Sequence, residues 1–381
     1  MKTDEVPRIL QLNSGSGDFG GVSSFLYNVY THIDRDKIQF DFISPNITTY
    51  GIHREEIENM GGRIYELGIT GNILTRKLKL YRELKKFLNN HDYRIIHINS
   101  GNFFFNLFAV SAAKKAGIEF RIVHSHNAGD TNHSIFKRIL FNILKPSLEK
   151  KATELYACSE KAAQYMFTKK SNENRKVSII KNGIQIERFV FDAQVREQLK
   201  NDLRINDKIV IGHVGRFLEQ KNHEFLIKIF AEIHKENNNT VLFLFGSGEK
   251  QEKIQQLVKE EELEDCVRFM GVIGDIEKMY QIMDVFVMPS FHEGLPVTCI
   301  EVQVNGMPCV LSDSITSEVK INENVLFVSL KESPQFWAHK VLSALESGRA
   351  DNCDKIENSG YSIDSVAKNL RDRYFVMLNG R

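Results

Sequence analysis

Short runs of almost wholly apolar residues recur along this chain, each leading through a Gly, Ser, Asn or Pro turn into a helix-length segment. In the first half the runs are Arg8 to Asn13, Ile38 to Ser44, Arg63 to Leu67, Arg94 to Ile98, Phe120 to His124, Glu154 to Cys158 and Val177 to Ile180. Strands buried on both faces read as unbroken apolar runs, and parallel strands need a long crossover between them. The rhythm breaks at Lys181-Asn182-Gly183-Ile184, where Asn-Gly signals a turn, and Gln185 to Phe191 looks irregular. It resumes with Ile209 to Val214, Val241 to Phe245, Val267 to Met270, Val285 to Met288, Cys309 to Leu311 and Val325 to Val328. This order predicts an α/β chain of two doubly wound domains, with a connector at about 181–195. A length of 381 residues gives each domain its own core.

Composition narrows the setting. No run of 18 or more apolar residues exists, so no transmembrane helix is expected. The stretch MKTDEVPRILQLN lacks the apolar region of a secretory signal. Five widely spaced cysteines without a C-x-x-C read as reduced, mostly buried thiols, which suits a cytoplasmic protein. Charge is unevenly shared. Residues 1–190 hold 28 Lys/Arg and 19 Asp/Glu (+9), and residues 191–381 hold 22 and 30 (−8). Two domains facing different partners fit this split, and so does a plain solvated surface on each. Asn72 to Asn89 and Ile135 to Lys151 read as basic amphipathic helices. Such helices can rest on an anionic membrane face, or simply coat a basic domain.

The first strand runs into Gly15-Ser-Gly17-Asp-Phe-Gly20-Gly21 and then a helix. A nicotinamide site also wants an acid at the tip of the second strand, and that tip is Ser44-Pro45. Asp41 lies mid-strand instead. A Gly-rich loop approaching some ligand remains, beside the plainer reading of a tight turn. Asp34-Arg35-Asp36 has the form of a metal-binding D-x-D but sits in turn-like company, and no metal is expected there. His124-Ser125-His126 ends a strand without a third ligand at matching spacing.

Four features of the second half follow strands. Gly215-Arg216-Phe217-Leu218-Glu219-Gln220-Lys221-Asn222 carries two cations on one loop, and Gly246-Ser247-Gly248 is a second glycine turn. Pro289 to Pro296 holds Glu293 before Gly294 and Leu295, and Glu301 lies in the helix that follows. Arg and Lys at the mouth of a parallel sheet suit a diphosphate and can stabilise it as a leaving group. A carboxylate such as Glu301 suits the paired hydroxyls of a ribose. Glu293 and Glu301 acting as the carboxylate pair of a glycoside hydrolase is the competing arrangement.

G-R-F-x-x-Q-K-N at 215–222, Gly-x-Gly at 246–248 and P-S-x-x-E-G-L-P at 289–296 with Glu301 resemble the retaining GT-B glycosyltransferases of family 4. Gly20-Gly21-Val22, His124-Ser125-His126 and Asn182-Gly183-Ile184 are also similar to that family. The resemblance spans about residues 8–375. It implies two Rossmann-like domains facing across a cleft: an acceptor domain of 1–190 plus 360–381, and a nucleotide-sugar donor domain of 191–359. It implies that Arg216 and Lys221 hold the donor diphosphate, with Gly246 and Gly248 beside it, and that Glu301 holds the ribose. Glu293, Gly294 and Leu295 would hold the transferred sugar, His126 would contact it near the reacting carbon, and Gly21 would approach from the other side. Val272 would meet the base. His126, Arg216, Lys221 and Glu293 are thus the catalytic candidates. No cofactor or metal is implied beyond the nucleotide sugar itself, most readily a UDP-sugar, and no nucleic acid. The acceptor would be a saccharide, either polyprenyl-diphosphate-linked or soluble, in exopolysaccharide or capsule assembly, in the cytoplasm or at the inner face of the cell membrane. A sugar-nucleotide epimerase on the same scaffold, or a non-catalytic partner subunit, are the other outcomes.

Overall fold

The apolar runs form strands because burial on both faces favours them, and every strand pairing is parallel. The computed structural model describes residues 6–14, 21–45, 50–51, 53–127, 135–293, 295–350 and 353–380. Two units result: Met1–Gly183 with Gly360–Arg381, and Ile184–Ser359.

In the first unit β1 (Arg8–Asn13), β2 (Gln39–Ser44), β3 (Arg63–Glu66), β4 (Ile95–Asn99), β5 (Phe120–Ser125), β6 (Glu154–Ala157) and β7 (Val177–Ile179) make one sheet. Its order is β3-β2-β1-β4-β5-β6-β7. In the second unit β8 (Ile209–Val214), β9 (Thr240–Phe245), β10 (Val267–Gly271), β11 (Val285–Met288), β12 (Cys309–Ser312) and β13 (Val325–Val328) make another, ordered β10-β9-β8-β11-β12-β13. Strand order reverses between β1 and β4, and again between β8 and β11. Loops leaving the carboxyl ends of those strands diverge to opposite faces and open a crevice, the usual ligand position in such sheets.

Helix starts follow local chemistry. Asn72 caps Ile73–Asn89 by accepting from the Thr75 amide, and Asn102 caps Phe103–Lys115 by accepting from the Phe105 amide. The helix Ile363–Asn379 returns to the first unit, where Val366, Leu370 and Tyr374 join Phe40, Tyr30 and Tyr156 in one buried cluster. Gly183 is needed there. A Cβ on it would lie 2.8 Å from the Ile363 backbone.

The passage between units falls at Gly183/Ile184, inside the connector expected at about 181–195. Residues 184–190 belong to the second unit. The reason is packing. The short helix Ile186–Phe189 lays Phe189 6.0 Å from the Tyr280 ring, and the Phe189 and Val190 carbonyls accept from Asn305 and Gln281.

Asp41, which a nicotinamide fold would have used at a strand tip, is a structural anchor. It is fully buried and accepts from Arg8 Nε at 2.8 Å, Arg8 Nη2 at 2.5 Å, the Tyr93 hydroxyl at 2.6 Å and the Arg63 amide at 3.1 Å. Asp41→Ala strips the acceptor from all of these donors. Equilibrium urea unfolding should show a loss of about 3–5 kcal/mol, the usual result of breaking a buried ion pair from one side. A loss under about 1 kcal/mol would mean that water replaces the carboxylate.

Candidate functional site

The second unit brings two of its sequence motifs together at its strand-order reversal. Gly215 to Asn222 leaves β8, and Pro289 to Glu293 leaves β11, the adjacent strand. The Gln220 side chain donates to the His292 carbonyl at 2.8 Å, the Phe291 amide donates to the Gln220 carbonyl at 2.9 Å, and the Asn222 side chain donates to the Pro289 carbonyl at 3.1 Å. Asn222 takes a left-handed conformation (φ 54°), which asparagine tolerates better than most residues. These ties fix Lys221 against Glu293. The ammonium lies 2.7 Å from Glu293 Oε1, with the side chains only 16% and 9% exposed, although the alignment is not that of a directed hydrogen bond.

Gly215 makes room for this pair, since a Cβ there would meet Lys221 Cδ and Cε at 3.0 Å. Beneath lie two buried imidazoles, His213 and His223, with ring centroids 4.8 Å apart. Burial, with the Lys221 charge adding to it, pulls His223 down to about 4 and His213 well below the usual range. Lys221 therefore stands on a neutral floor. Arg216 is exposed, and its guanidinium makes no hydrogen bond or ion pair among the described residues.

Gly246 and Gly248 have a different reason to be glycine from the one expected. A Cβ on Gly246 (φ 132°) would lie 2.2 Å from the Gly215 carbonyl oxygen, and one on Gly248 would lie 2.6 Å from the Phe217 carbonyl oxygen. The Arg216 loop itself fills that space. These glycines shape the loop that presents the cations.

Glu301 sits in the second turn of the helix Val297–Val304. The Tyr280 hydroxyl donates to its Oε2 at 2.8 Å. Burial raises the Glu301 carboxyl to about 7, against the smaller opposing effects of Tyr280 and Arg188. Such a carboxyl changes charge near neutrality and can receive hydroxyl donors as a carboxylate. Leu295 is buried, Val272 is exposed just after β10, and Gly294 lies outside the described residues. Tyr280 carries no sequence signal of its own. It is an aromatic in a short helix, and only the fold shows that it orients Glu301.

In the first unit His126 follows β5, and its ring lies 4.0 Å from that of His124. His126 Nε2 is 3.1 Å from Asn99 Oδ1, while Asn99 Nδ2 donates to Gln11 and to the His97 carbonyl. Asn99 therefore accepts, and His126 carries its proton on Nε2. Nδ1 is shut off from solvent without a directed hydrogen bond, and burial brings His126 down to about 3. The ring is neutral and oriented, and is not arranged to deliver a proton. His124 belongs to the core, 3.2 Å from His97, which in turn meets the Tyr374 hydroxyl at 2.6 Å. Among the described residues no group of three His, Cys, Asp or Glu side chains could hold a metal ion. Asp34 pairs with Lys37 at 2.8 Å.

Gly21 opens the helix Gly21–His32, and residues 15–20 before it lie outside the described residues. Among the described residues nothing lies within 4 Å of a Cβ built on Gly21. Gly21→Leu should keep stability within about 0.5 kcal/mol. If a ligand approaches this backbone, catalysis should fall by at least about tenfold, since small misplacements of substrate are costly. Unchanged turnover would remove Gly21 from the site.

Residues 195–362 match the model of the glycosyl transferases group 1, and residues 19–188 match that of Glycosyltransferase Family 4. EpsF of Bacillus subtilis, named as a glycosyltransferase, is 32% identical over 346 residues, covering 90% of this chain and 88% of that protein. An Escherichia coli UDP-Gal:α-D-GlcNAc-diphosphoundecaprenol α-1,3-galactosyltransferase is 26% identical, covering 80% and 82%. Among solved structures, Anabaena Alr3699/HepE with UDP and glucose superposes with a TM-score of 0.74 at 16% identity, covering 96% of this chain and 98% of that one. The sucrose-phosphate synthase of Thermosynechococcus elongatus gives 0.78 at 17% identity, covering 98% and 100%. At such identities the structures speak for the fold alone.

Proposed function

Since the chain belongs to the family 4 glycosyltransferases and has their GT-B fold, we propose that it moves a hexose from a UDP-sugar, with retention, to a polyprenyl-diphosphate-linked saccharide. The observation that carries the reading is the joining of Lys221, Glu293 and Arg216 at the reversal of the second sheet, with Glu301 in the helix that follows. In this reading Glu301 accepts from the ribose hydroxyls, and Arg216 and Lys221 face the diphosphate. Glu293, Leu295 and the Gly294 backbone hold the sugar, and Val272 borders the base.

The bond from the anomeric carbon to the diphosphate oxygen breaks, and the acceptor hydroxyl bonds to the same face of that carbon. Its proton passes to the departing diphosphate. Arg216 and Lys221 stabilise the charge that develops there, so no resident metal is required. Neutral His126 and the Gly21 backbone serve the acceptor side, in the first unit. UDP and a diphosphoundecaprenol acceptor are favoured by the names of related proteins, and capsule assembly by a Staphylococcus aureus capsular polysaccharide glycosyltransferase, CapM, 26% identical over 283 residues. No helix among the described residues is long and apolar enough to cross a membrane. Exposed Leu78, Ile139, Leu140 and Ile143, on helices rich in lysine and arginine, favour residence at the anionic inner face.

Nucleotide release from UDP-glucose, UDP-galactose, UDP-N-acetylglucosamine and GDP-mannose, with and without a polyprenyl-diphosphate glycan and with and without EDTA, tests the reading. One UDP-sugar should give slow release, accelerated by the acceptor and indifferent to EDTA. Isomerised donor without transfer would replace the reading with an epimerase.

A further inference from the structure

We infer that Tyr374, on the helix Ile363–Asn379, is a positioning residue for His126 and acts on it through Gln11 and Asn99. This rests on the reading above, in which His126 touches the substrate, and it names what sets the ring that does so.

Six side chains of the first unit form a continuous polar chain. Asn99 stands between His126 and Gln11, Gln11 meets the Tyr374 hydroxyl, Tyr374 meets His97, and His97 meets His124. The chain curls back on itself, since the rings at its two ends, His126 and His124, lie 4.0 Å apart. Gln11, His97, Asn99, His124 and Tyr374 are fully buried. Phe25 covers both ends, with its ring 5.5 Å from His124 and 5.0 Å from His126, and Tyr156 lies 5.7 Å from His97. Polar groups cut off from water in this way must match donor to acceptor among themselves, because each unmatched one bears its full desolvation cost.

One backbone atom sets the direction of the whole chain. The His97 carbonyl can only accept, and Asn99 Nδ2 lies 3.0 Å from it, so the nitrogen end of that amide is fixed. Asn99 Nδ2 gives its other proton to Gln11 Oε1 at 3.1 Å. Gln11 Nε2 is thereby turned toward Tyr374 and donates to the hydroxyl oxygen at 3.1 Å. The hydroxyl gives its own proton to His97 Nδ1 at 2.6 Å. Burial keeps His97 and His124 uncharged, so His97 has its one proton on Nε2 and gives it to His124 Nδ1 at 3.2 Å. On the other side Asn99 Oδ1 is left as an acceptor, and His126 Nε2 donates to it at 3.1 Å. Reversing Asn99 or Gln11 sets like against like, and reversing His97 strands the Tyr374 proton.

This order fixes the chemistry of the ring at its end. With Nε2 protonated, His126 has a lone pair on Nδ1, whereas the opposite tautomer would place a proton there. Tyr374 is the member that both receives from Gln11 and gives to His97, across 363 and 277 residues of sequence. Without its hydroxyl, Gln11 Nε2 loses its acceptor and the amide turns. Asn99 is then held by the His97 carbonyl alone, and His126 loses the rigid partner that selects its tautomer.

The test uses the full chain with Tyr374→Phe, which keeps the buried ring and removes the hydroxyl. Nitrogen-15 spectra of histidine-labelled protein, with the His126 signals assigned by their loss in His126→Ala, report the tautomer. Nucleotide release from the UDP-sugar that the panel above selects, with its acceptor, reports turnover. In the unsubstituted protein His126 should be neutral with its proton on Nε2, and a proton on Nδ1 would overturn the inference. In Tyr374→Phe a second tautomer should appear at His126, and kcat should fall about tenfold, as it does when a substrate contact is slightly misplaced. Donor KM should change by less than about twofold, because the lost interaction belongs to the transition state. A His126 spectrum unchanged by Tyr374→Phe would overturn the inference. Leu370→Ala, one turn earlier on the same helix, opens the same apolar cluster without touching the polar chain. It should lower Tm and leave kcat within about twofold, the mark of a cavity away from the site. A fall in kcat as large as that of Tyr374→Phe would reduce Tyr374 to a packing residue. In a His126→Ala background Tyr374→Phe should lower kcat no further, since residues acting through one another are not additive, and a second full fall would overturn the route through His126. His126→Ala with full turnover removes the reading of His126 as a substrate contact, while the spectra still decide the hydrogen-bond chain.

Discussion

Lys221→Ala should lower kcat/KM for sugar transfer by about 10²–10³-fold, the usual cost of removing one preorganised group that faces developing charge. The setting of this lysine is the reason for expecting a larger effect here than at its exposed neighbour Arg216. It is largely buried, stands over two imidazoles held neutral by burial, and is fixed by the ties between the β8 and β11 loops. A charge in a water-poor site acts on the transition state more strongly than one in solvent. The substitution also leaves Glu293 buried without its cation, which costs stability on the order of a few kcal/mol. Activity and urea unfolding must therefore be read together. A folded Lys221→Ala protein that keeps full turnover would remove Lys221 from the chemistry. Lys221→Arg separates charge from shape: it should keep the fold and recover only part of the rate, because the guanidinium fork does not occupy the ammonium position.

The second large effect belongs to Glu301. In the proposed reading Glu301 accepts from ribose hydroxyls as a carboxylate, and protonation takes acceptor capacity away. Burial puts its change of charge at about 7, so the competent form dominates above that value and falls to roughly one-tenth at pH 6. Donor affinity should accordingly rise by close to tenfold between pH 6 and pH 8 and then level off. The stability effect has the opposite sense. A carboxyl raised from 4.5 to about 7 by folding contributes stability below 4.5 that is lost as pH climbs through 7. Glu301→Gln should weaken donor binding about tenfold to a hundredfold, in the range of hydrogen bonds to a charged group, and should flatten the pH profile. Tyr280→Phe removes the hydroxyl that favours the ionised form and should move the inflection upward. A donor affinity that stays flat from pH 6 to pH 8 in the unsubstituted protein would show that Glu301 does not meet the ribose as a carboxylate.

Much of this architecture is legible in the sequence, because buried parallel strands must be apolar throughout and their turns must carry small or polar residues. The run Thr240–Phe245 is an example, buried from end to end. The motif loops at 215–222 and 289–296 could also be read, since their residue types are unusual beside strand ends. What escaped the reading depends on contacts between distant positions. Lys221 meets Glu293 across 72 residues, and Tyr280 meets Glu301 across 21; neither partnership has a local pattern. Gly246 and Gly248 show the same limit from the other side. Sequence identifies a glycine turn, and only the fold reveals that the neighbouring Gly215–Phe217 backbone occupies the freed space. Within the connector, Phe189 and Val190 commit to the second unit through Tyr280, Asn305 and Gln281, partners that no local pattern announces.

The helix Ile363–Asn379 has a consequence for how the protein is made. It supplies Val366, Leu370 and Tyr374 to the core of a unit whose other residues end at Gly183, so that unit is built from both sides of the second one. During synthesis the ribosome delivers the second unit whole before the first can close. At about 5–20 residues per second, the nascent first half waits roughly 10–40 s with the Phe40 and Tyr156 surface uncovered. The second unit can fold on emergence, whereas the first stays open to chaperones until the returning helix arrives. A released chain truncated just before residue 363 should therefore display a protease-sensitive first half attached to a protease-resistant second one.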